Sequence, residues 1–127
     1  MLLLDSTFLI DLHDDFRQGG GAAVDFMRRH RTHPMVITPI SAAEYAAGIR
    51  HERESRRFLR RFQLVPMGRD IALTAARLDR LQSEKGLRLG ENGTWQAAIA
   101  LHLDLTLVSD DSDFEKVAAL RRIGYRS

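Results

Sequence analysis

Acidic residues fall at three points of this chain where carboxylates can do chemistry. Asp5 directly follows the apolar run Leu2-Leu3-Leu4. Glu44 lies in the first turn of a helix predicted after the run Met35-Val36-Ile37-Thr38. Asp110, Asp111 and Asp113 follow Leu105-Thr106-Leu107-Val108. Short apolar runs ending in polar residues read as buried parallel strands. In open parallel sheets, sites form outside the carboxyl ends of such strands. Three sequence-distant points would therefore bring carboxylates to one sheet edge. Clustered carboxylates repel, and burial raises their pKa unless something compensates. A hard divalent cation is the simplest compensation, because Mg²⁺ and Mn²⁺ prefer oxygen ligands. Such a cation lowers the pKa of a bound water and offsets charge on a phosphodiester. The pattern thus points to metal-assisted phosphodiester hydrolysis.

Each acid also has a structural explanation. Ser41-Ala42-Ala43-Glu44 reads as a capping box, with Ser41 at the N-cap and Glu44 at N3. Asp5 can cap the first helix, and one trailing aspartate can cap a helix beginning near Phe114. Asp11, Asp14 and Asp15 read as a solvated helix end. What favours chemistry is the coincidence of all three positions at equivalent strand ends.

Positioning these acids requires strands alternating with helices. The apolar runs predict strands at 1–4, 35–38, 64–67 and 105–108. Between them, periodicity predicts helices at 7–15, 22–31, 42–61, 70–85, 94–102 and 114–120. Gly19-Gly20-Gly21 is a breaker, and Gly86 sits where a helix end favours a left-handed residue. This alternation argues an α/β fold, one domain over residues 1–127, with a parallel sheet flanked by helices.

Composition narrows the class. The chain is 44% hydrophobic and 28% charged, as in ordinary globular domains. No apolar run nears the roughly 18 to 20 residues of a membrane span. The start MLLLDSTFLIDL lacks the basic residues of a signal peptide. Absence of cysteine excludes disulfides and thiolate catalysis, and a cytoplasmic location is the expectation. Net charge is only +2, yet all but Lys85 and Lys116 of the 19 basic residues are arginine. The arginine fork pairs well with phosphate, although a GC-rich genome accounts better for the bias. Arg53, Arg56, Arg57, Arg60 and Arg61 form one helical stripe. That stripe suits RNA phosphates or an acidic partner segment, or is a solvated face paired with Glu52 and Glu54. Phe58, Phe62 and Trp95 read as core. The five histidines show no metal-ligand spacing.

The segments LLLDS, ITPISAAEYAAGI and GENGTWQAAIALHLDLTLVSDDSDF, in that order, resemble the PIN domain. The likeness is in particular to the small VapC-type toxin ribonucleases of bacterial toxin–antitoxin pairs. It covers nearly the whole chain, and its third segment is the most specific. The resemblance implies a doubly wound α/β/α fold with an acidic pocket at the carboxyl edge of the sheet. It implies Mg²⁺- or Mn²⁺-dependent endoribonuclease activity on an RNA substrate, a homodimer, and inhibition by a cognate VapB-like antitoxin. Asp5 matches the family's first acid and Glu44 its second. Asp111 matches the acid of the T-R-D turn, and Asp113 a further acid of many members. These four are the implied catalytic and metal-binding residues. Ser109 takes the place of a Thr or Ser whose hydroxyl can orient the neighbouring carboxylate.

One departure stands out. The family commonly reads G-x-N-D-x-W-I-A-A, whereas this chain has Gly90-Glu91-Asn92-Gly93-Thr94-Trp95-Gln96-Ala97-Ala98. Gly93 stands where the third acid belongs. Glu91 or Asn92 could substitute as an oxygen ligand. The chain could be a naturally degenerate PIN domain that binds without cutting. Or Gly93 could be an inactivating change, one base from Asp, of the kind that selection against a toxic nuclease favours. The alternative to an impaired nuclease is an inactive PIN-like module that binds an antitoxin or RNA. A haloacid-dehalogenase relative is disfavoured, because Thr7 breaks that family's D-x-D.

Overall fold

The computed structural model describes residues 1–126. Five strands, β1 (Leu2–Leu4), β2 (Met35–Ile37), β3 (Gln63–Leu64), β4 (Thr106–Val108) and β5 (Arg122–Ile123), form one parallel sheet ordered β3-β2-β1-β4-β5. Leu2 lies opposite Met35 on one side and Thr106 on the other, so β1 is central. Successive side chains of a strand point to opposite faces. Leu2 and Leu4 therefore join one core cluster and Leu3 the other. Burial on both faces explains why β1 reads as a continuous apolar run.

Six helices cover the two faces. α1 (Ser6–Gln18), α2 (Ala22–Arg29), α3 (Pro39–Ala47) and α4 (Glu52–Leu59) supply Phe8, Leu9, Leu12, Phe26, Tyr45 and Phe58 to the Leu2–Leu4 side. α5 (Arg69–Glu84) and α6 (Glu91–His102) supply Ile71, Ala75, Leu78, Ala97 and Ile99 to the Leu3 side. A 3-10 helix, Ser112–Lys116, precedes β5. Gly86 has φ 69° just past α5, the left-handed conformation predicted there. Among the described residues, no helix is long and apolar enough to cross a membrane.

Several element boundaries differ from those predicted. The helix expected over 42–61 is two helices, interrupted after the C-cap Gly48. A continuous helix would hold Tyr45 and Phe58 about 20 Å apart. Instead the chain folds back, and their rings stack with centroids 4.5 Å apart. The arginine stripe is shortened accordingly. Arg53, Arg56 and Arg57 lie on α4, Arg60 is its C-cap, and all five arginines are exposed. Arg56 pairs with Glu52 at 3.4 Å, and the Arg61 guanidinium lies over the Phe16 ring at 4.9 Å. The helix expected over 114–120 is the 3-10 segment, and the two-residue β5 carries no apolar run that could have announced it.

Phe58 is only 3% exposed and also packs near His13, Phe16 and Phe62. Phe58→Ala should cost about 3 to 5 kcal/mol in a urea unfolding titration, chiefly by removing what holds α4 against α1 and α3.

Candidate functional site

The end of β1 delivers Asp5, which is 8% exposed and is the N-cap of α1. Its two carboxylate oxygens accept different donors: the Ser6 backbone N–H at 2.8 Å and the Ser109 hydroxyl at 2.7 Å. Ser109, at the end of β4, also accepts the Asp111 N–H at 3.1 Å. One hydroxyl therefore links Asp5 to the segment bearing Asp111. Asp111 in turn caps the 3-10 helix, accepting the Asp113 N–H at 2.9 Å. Burial holds the Asp5 carboxyl above its usual pKa. The Ser109 and Ser6 bonds oppose that shift, while the charges of Glu44 and Asp111 reinforce it.

The end of β2 delivers α3, but not through the predicted cap. Thr38 is the N-cap, its hydroxyl oxygen accepting the Ser41 N–H at 2.9 Å, and Pro39 opens the helix. The dipeptide Thr38-Pro39 carries the start signal, since proline favours the first helical position. Glu44 therefore lies beyond the first turn, exposed, and is not a capping-box residue. Its carboxylate accepts the Asn92 side-chain N–H at 2.7 Å, across 48 residues of sequence.

Gly93 lies in the first turn of α6, which begins at Glu91 rather than at the predicted 94. Its φ is not left-handed. A Cβ added there would meet Leu89 Cβ at 3.6 Å and Phe114 Cε1 at 3.8 Å, ordinary van der Waals contacts. A side chain therefore fits at this position. Glu91, one of the two residues considered as substitutes, lines a cleft of about 560 Å³ with Arg88, Leu89 and Trp95. Asn92 is committed to Glu44 as a donor.

The structure thus brings Asp5, Glu44 and Asp111 into one electrostatic neighbourhood, whereas Asp113 faces Lys116 at 3.4 Å. Hard oxygen donors of this kind suit Mg²⁺ or Mn²⁺. Among the described residues, however, no three Asp, Glu or His side chains gather closely enough to hold a metal ion. The donor set fits in chemistry and falls short in convergence, with Gly93 at the edge that lacks an acid.

A PIN-domain family profile matches residues 2–120 of the chain. The chain belongs to the PIN-domain family. No curated protein sequence matches it. Solved structures of similar fold include VapBC2 from Rickettsia felis bound to a DNA fragment from their promoter, with TM-score 0.79, 18% identity and 98% of each chain covered. VapBC-1 from nontypeable Haemophilus influenzae gives TM-score 0.77 at 19% identity, covering 98% of this chain and 97% of that one. A toxin–antitoxin complex from Klebsiella pneumoniae gives TM-score 0.73 at 23% identity, covering 94% and 95%.

This PIN domain also has features that sequence reading missed. Gln96, where the family pattern has Ile, is 2% exposed. Its amide donates to Thr38 Oγ1 at 3.2 Å and to Ser41 Oγ, while its Oε1 has no partner. A buried carbonyl oxygen without a donor costs free energy. Gln96→Met would, however, strip the buried Thr38 and Ser41 hydroxyls of this amide, so unfolding stability should fall by about 1 kcal/mol in denaturant titration. The predicted solvated helix end is also partly wrong. Asp11 accepts bonds from Tyr125 and Arg126, and Asp15 accepts the Val24 N–H at 3.0 Å at the start of α2.

Proposed function

We propose that this chain is a PIN-domain endoribonuclease of VapC type, the toxin of a toxin–antitoxin pair, impaired because Gly93 replaces an acid of its pocket. The observation that carries this reading is the Ser109 bridge between Asp5 and Asp111, with Glu44 on the helix that follows the neighbouring strand β2 of a PIN fold. Asp5, Glu44 and Asp111 would hold Mg²⁺ or Mn²⁺, with Asp113 able to join only by leaving Lys116. The cation would supply charge neutralisation at the scissile phosphate of an RNA substrate. Ser109 holds Asp5 and Asp111 in mutual register. The Asn92 amide holds the Glu44 carboxylate in place by donating to it.

The exposed arginines of α4 suit RNA or a VapB-like antitoxin. Ala46, Leu59, Phe62 and Leu64 line a cleft beside Arg56 and Arg60, which suits an acidic amphipathic segment better than a bare polyanion. A homodimer and a cytoplasmic location accompany this reading. In cells, the Gly93→Asp chain should arrest growth, and co-expression of the cognate antitoxin should relieve the arrest. Unimpaired growth with soluble Gly93→Asp protein would instead favour an inactive binding module. Engagement of Glu44 by Asn92 favours that second reading, because it gives one carboxylate oxygen a donor without a cation.

A further inference from the structure

The C-terminal segment closes on the acidic turn at several points. β5 pairs with β4, Leu107 opposite Arg122 and Val108 opposite Ile123. Ser109 N–H donates to the Ile123 carbonyl at 3.0 Å. The Arg122 guanidinium donates to the Ser109 carbonyl at 2.9 Å and to Glu115 at 3.1 Å, bridging the two ends of that turn. The Asp110 carboxylate accepts the backbone N–H groups of Tyr125 at 3.2 Å and Arg126 at 2.9 Å.

The segment is itself anchored. Tyr125 is 2% exposed, with its ring edge-on to Phe8 at 4.7 Å. Its hydroxyl donates to Asp11 at 2.7 Å, and the Arg126 guanidinium donates to the same oxygen at 2.6 Å. Gly124 completes the fit. Its φ is not left-handed, but a Cβ there would overlap the Asp110 carboxylate.

We propose that Asp110 is a positioning residue and that residues 122–126 form a clasp fixing Ser109 and Asp111 relative to Asp5. This rests on the reading above that Asp5 and Asp111 are metal ligands. Both Asp110 oxygens are taken by backbone amides, so Asp110 serves as an anchor beside the ligand rather than as a ligand. Residues that orient ligands are worth on the order of 10- to 100-fold in metal affinity.

The test uses the Gly93→Asp chain as parent, with Gly124→Ala, Asp110→Ala and Asp110→Asn added singly. Gly124→Ala is the most telling, because it displaces the Asp110 carboxylate while leaving every charge in place. Mn²⁺ affinity by calorimetry should fall about tenfold in Gly124→Ala and Asp110→Ala. Asp110→Asn, which keeps one acceptor oxygen, should fall between them and the parent. Amide exchange at Asp111 and Asp113, the N–H groups bonded within the turn, should accelerate. Ile71→Val, a destabilising change in the core on the other face of the sheet from Tyr125, should leave Mn²⁺ affinity unaltered. Parental affinity in both Gly124→Ala and Asp110→Ala would overturn the clasp. A parent that binds no Mn²⁺ would overturn the ligand reading instead. Exchange would then decide the clasp alone, faster rates supporting it and unchanged rates overturning it.

Discussion

Gly93→Asp is expected to raise metal-dependent RNA cleavage by on the order of 10²-fold or more, the typical worth of one electrostatic catalytic element. The backbone already permits the side chain, since a Cβ at this position meets Leu89 and Phe114 at ordinary contact distance. The position also favours a carboxylate, because the first turn of a helix carries the positive end of its dipole. Neighbouring Asn92 is bonded to Glu44, so the restored acid would arise beside an existing pocket member. Of the considered substitutes, Asn92 presents a donor to Glu44, and Glu91 lines the cleft with Arg88 and Trp95. Single-turnover cleavage of RNA in Mg²⁺ or Mn²⁺, with chelator controls, measures the effect. Equal rates for the two proteins would show that Gly93 is not a vacancy. Cleavage by neither would favour the binding module.

Asp5→Asn should do opposite things to activity and stability. In the Gly93→Asp background it removes a charge from the centre of the pocket, and cleavage should fall by on the order of 10²-fold or more. The apo protein should nevertheless become more stable at neutral pH. Burial raises the Asp5 pKa, so folding favours its protonated form and the ionised form opposes folding. Asparagine is as good an N-cap as aspartate and can accept the Ser6 N–H. Ser109 can turn its hydroxyl to accept from the new amide. Between the unfolded aspartate pKa of about 3.9 and the raised folded value, the native state binds more protons. Stability contributed there is present at low pH and lost as pH rises through the folded pKa. Thermal melts against pH should show that fall with Asp5 and lose its Asp5 component in the Asp5→Asn variant, whose melting temperature at pH 7 should be the higher.

The arrangement places opposing demands on one residue. A pocket that must hold a cation needs ionised carboxylates, while the apo fold is strained by them. Ser109 and Ser6 relieve part of that conflict at Asp5. Among the described residues, Asp5 has a donor on each oxygen, whereas Glu44 and Asp111 each keep one oxygen without a donor.

The sequence by itself determined the layer order and the strand ends at which acids appear. These follow from local signals: apolar runs of strand length, glycine breakers, and polar residues directly after β1 and β4. It also located Gly93 as a departure, because that comparison needs only residue order. Tertiary structure alone decided the rest. The helix break after Gly48 is set by Tyr45 stacking on Phe58, a contact invisible to periodicity. The Thr38 cap and the Asp113–Lys116 pair, by contrast, are local contacts, the first announced by Thr38-Pro39. Ser109 reached Asp5 across 104 residues, and Asp110 met the amides of Tyr125 and Arg126. Spacing along a chain fixes which face or edge a side chain occupies. Which donor satisfies a given carboxylate depends on what packing brings opposite it, and that is a property of the folded whole.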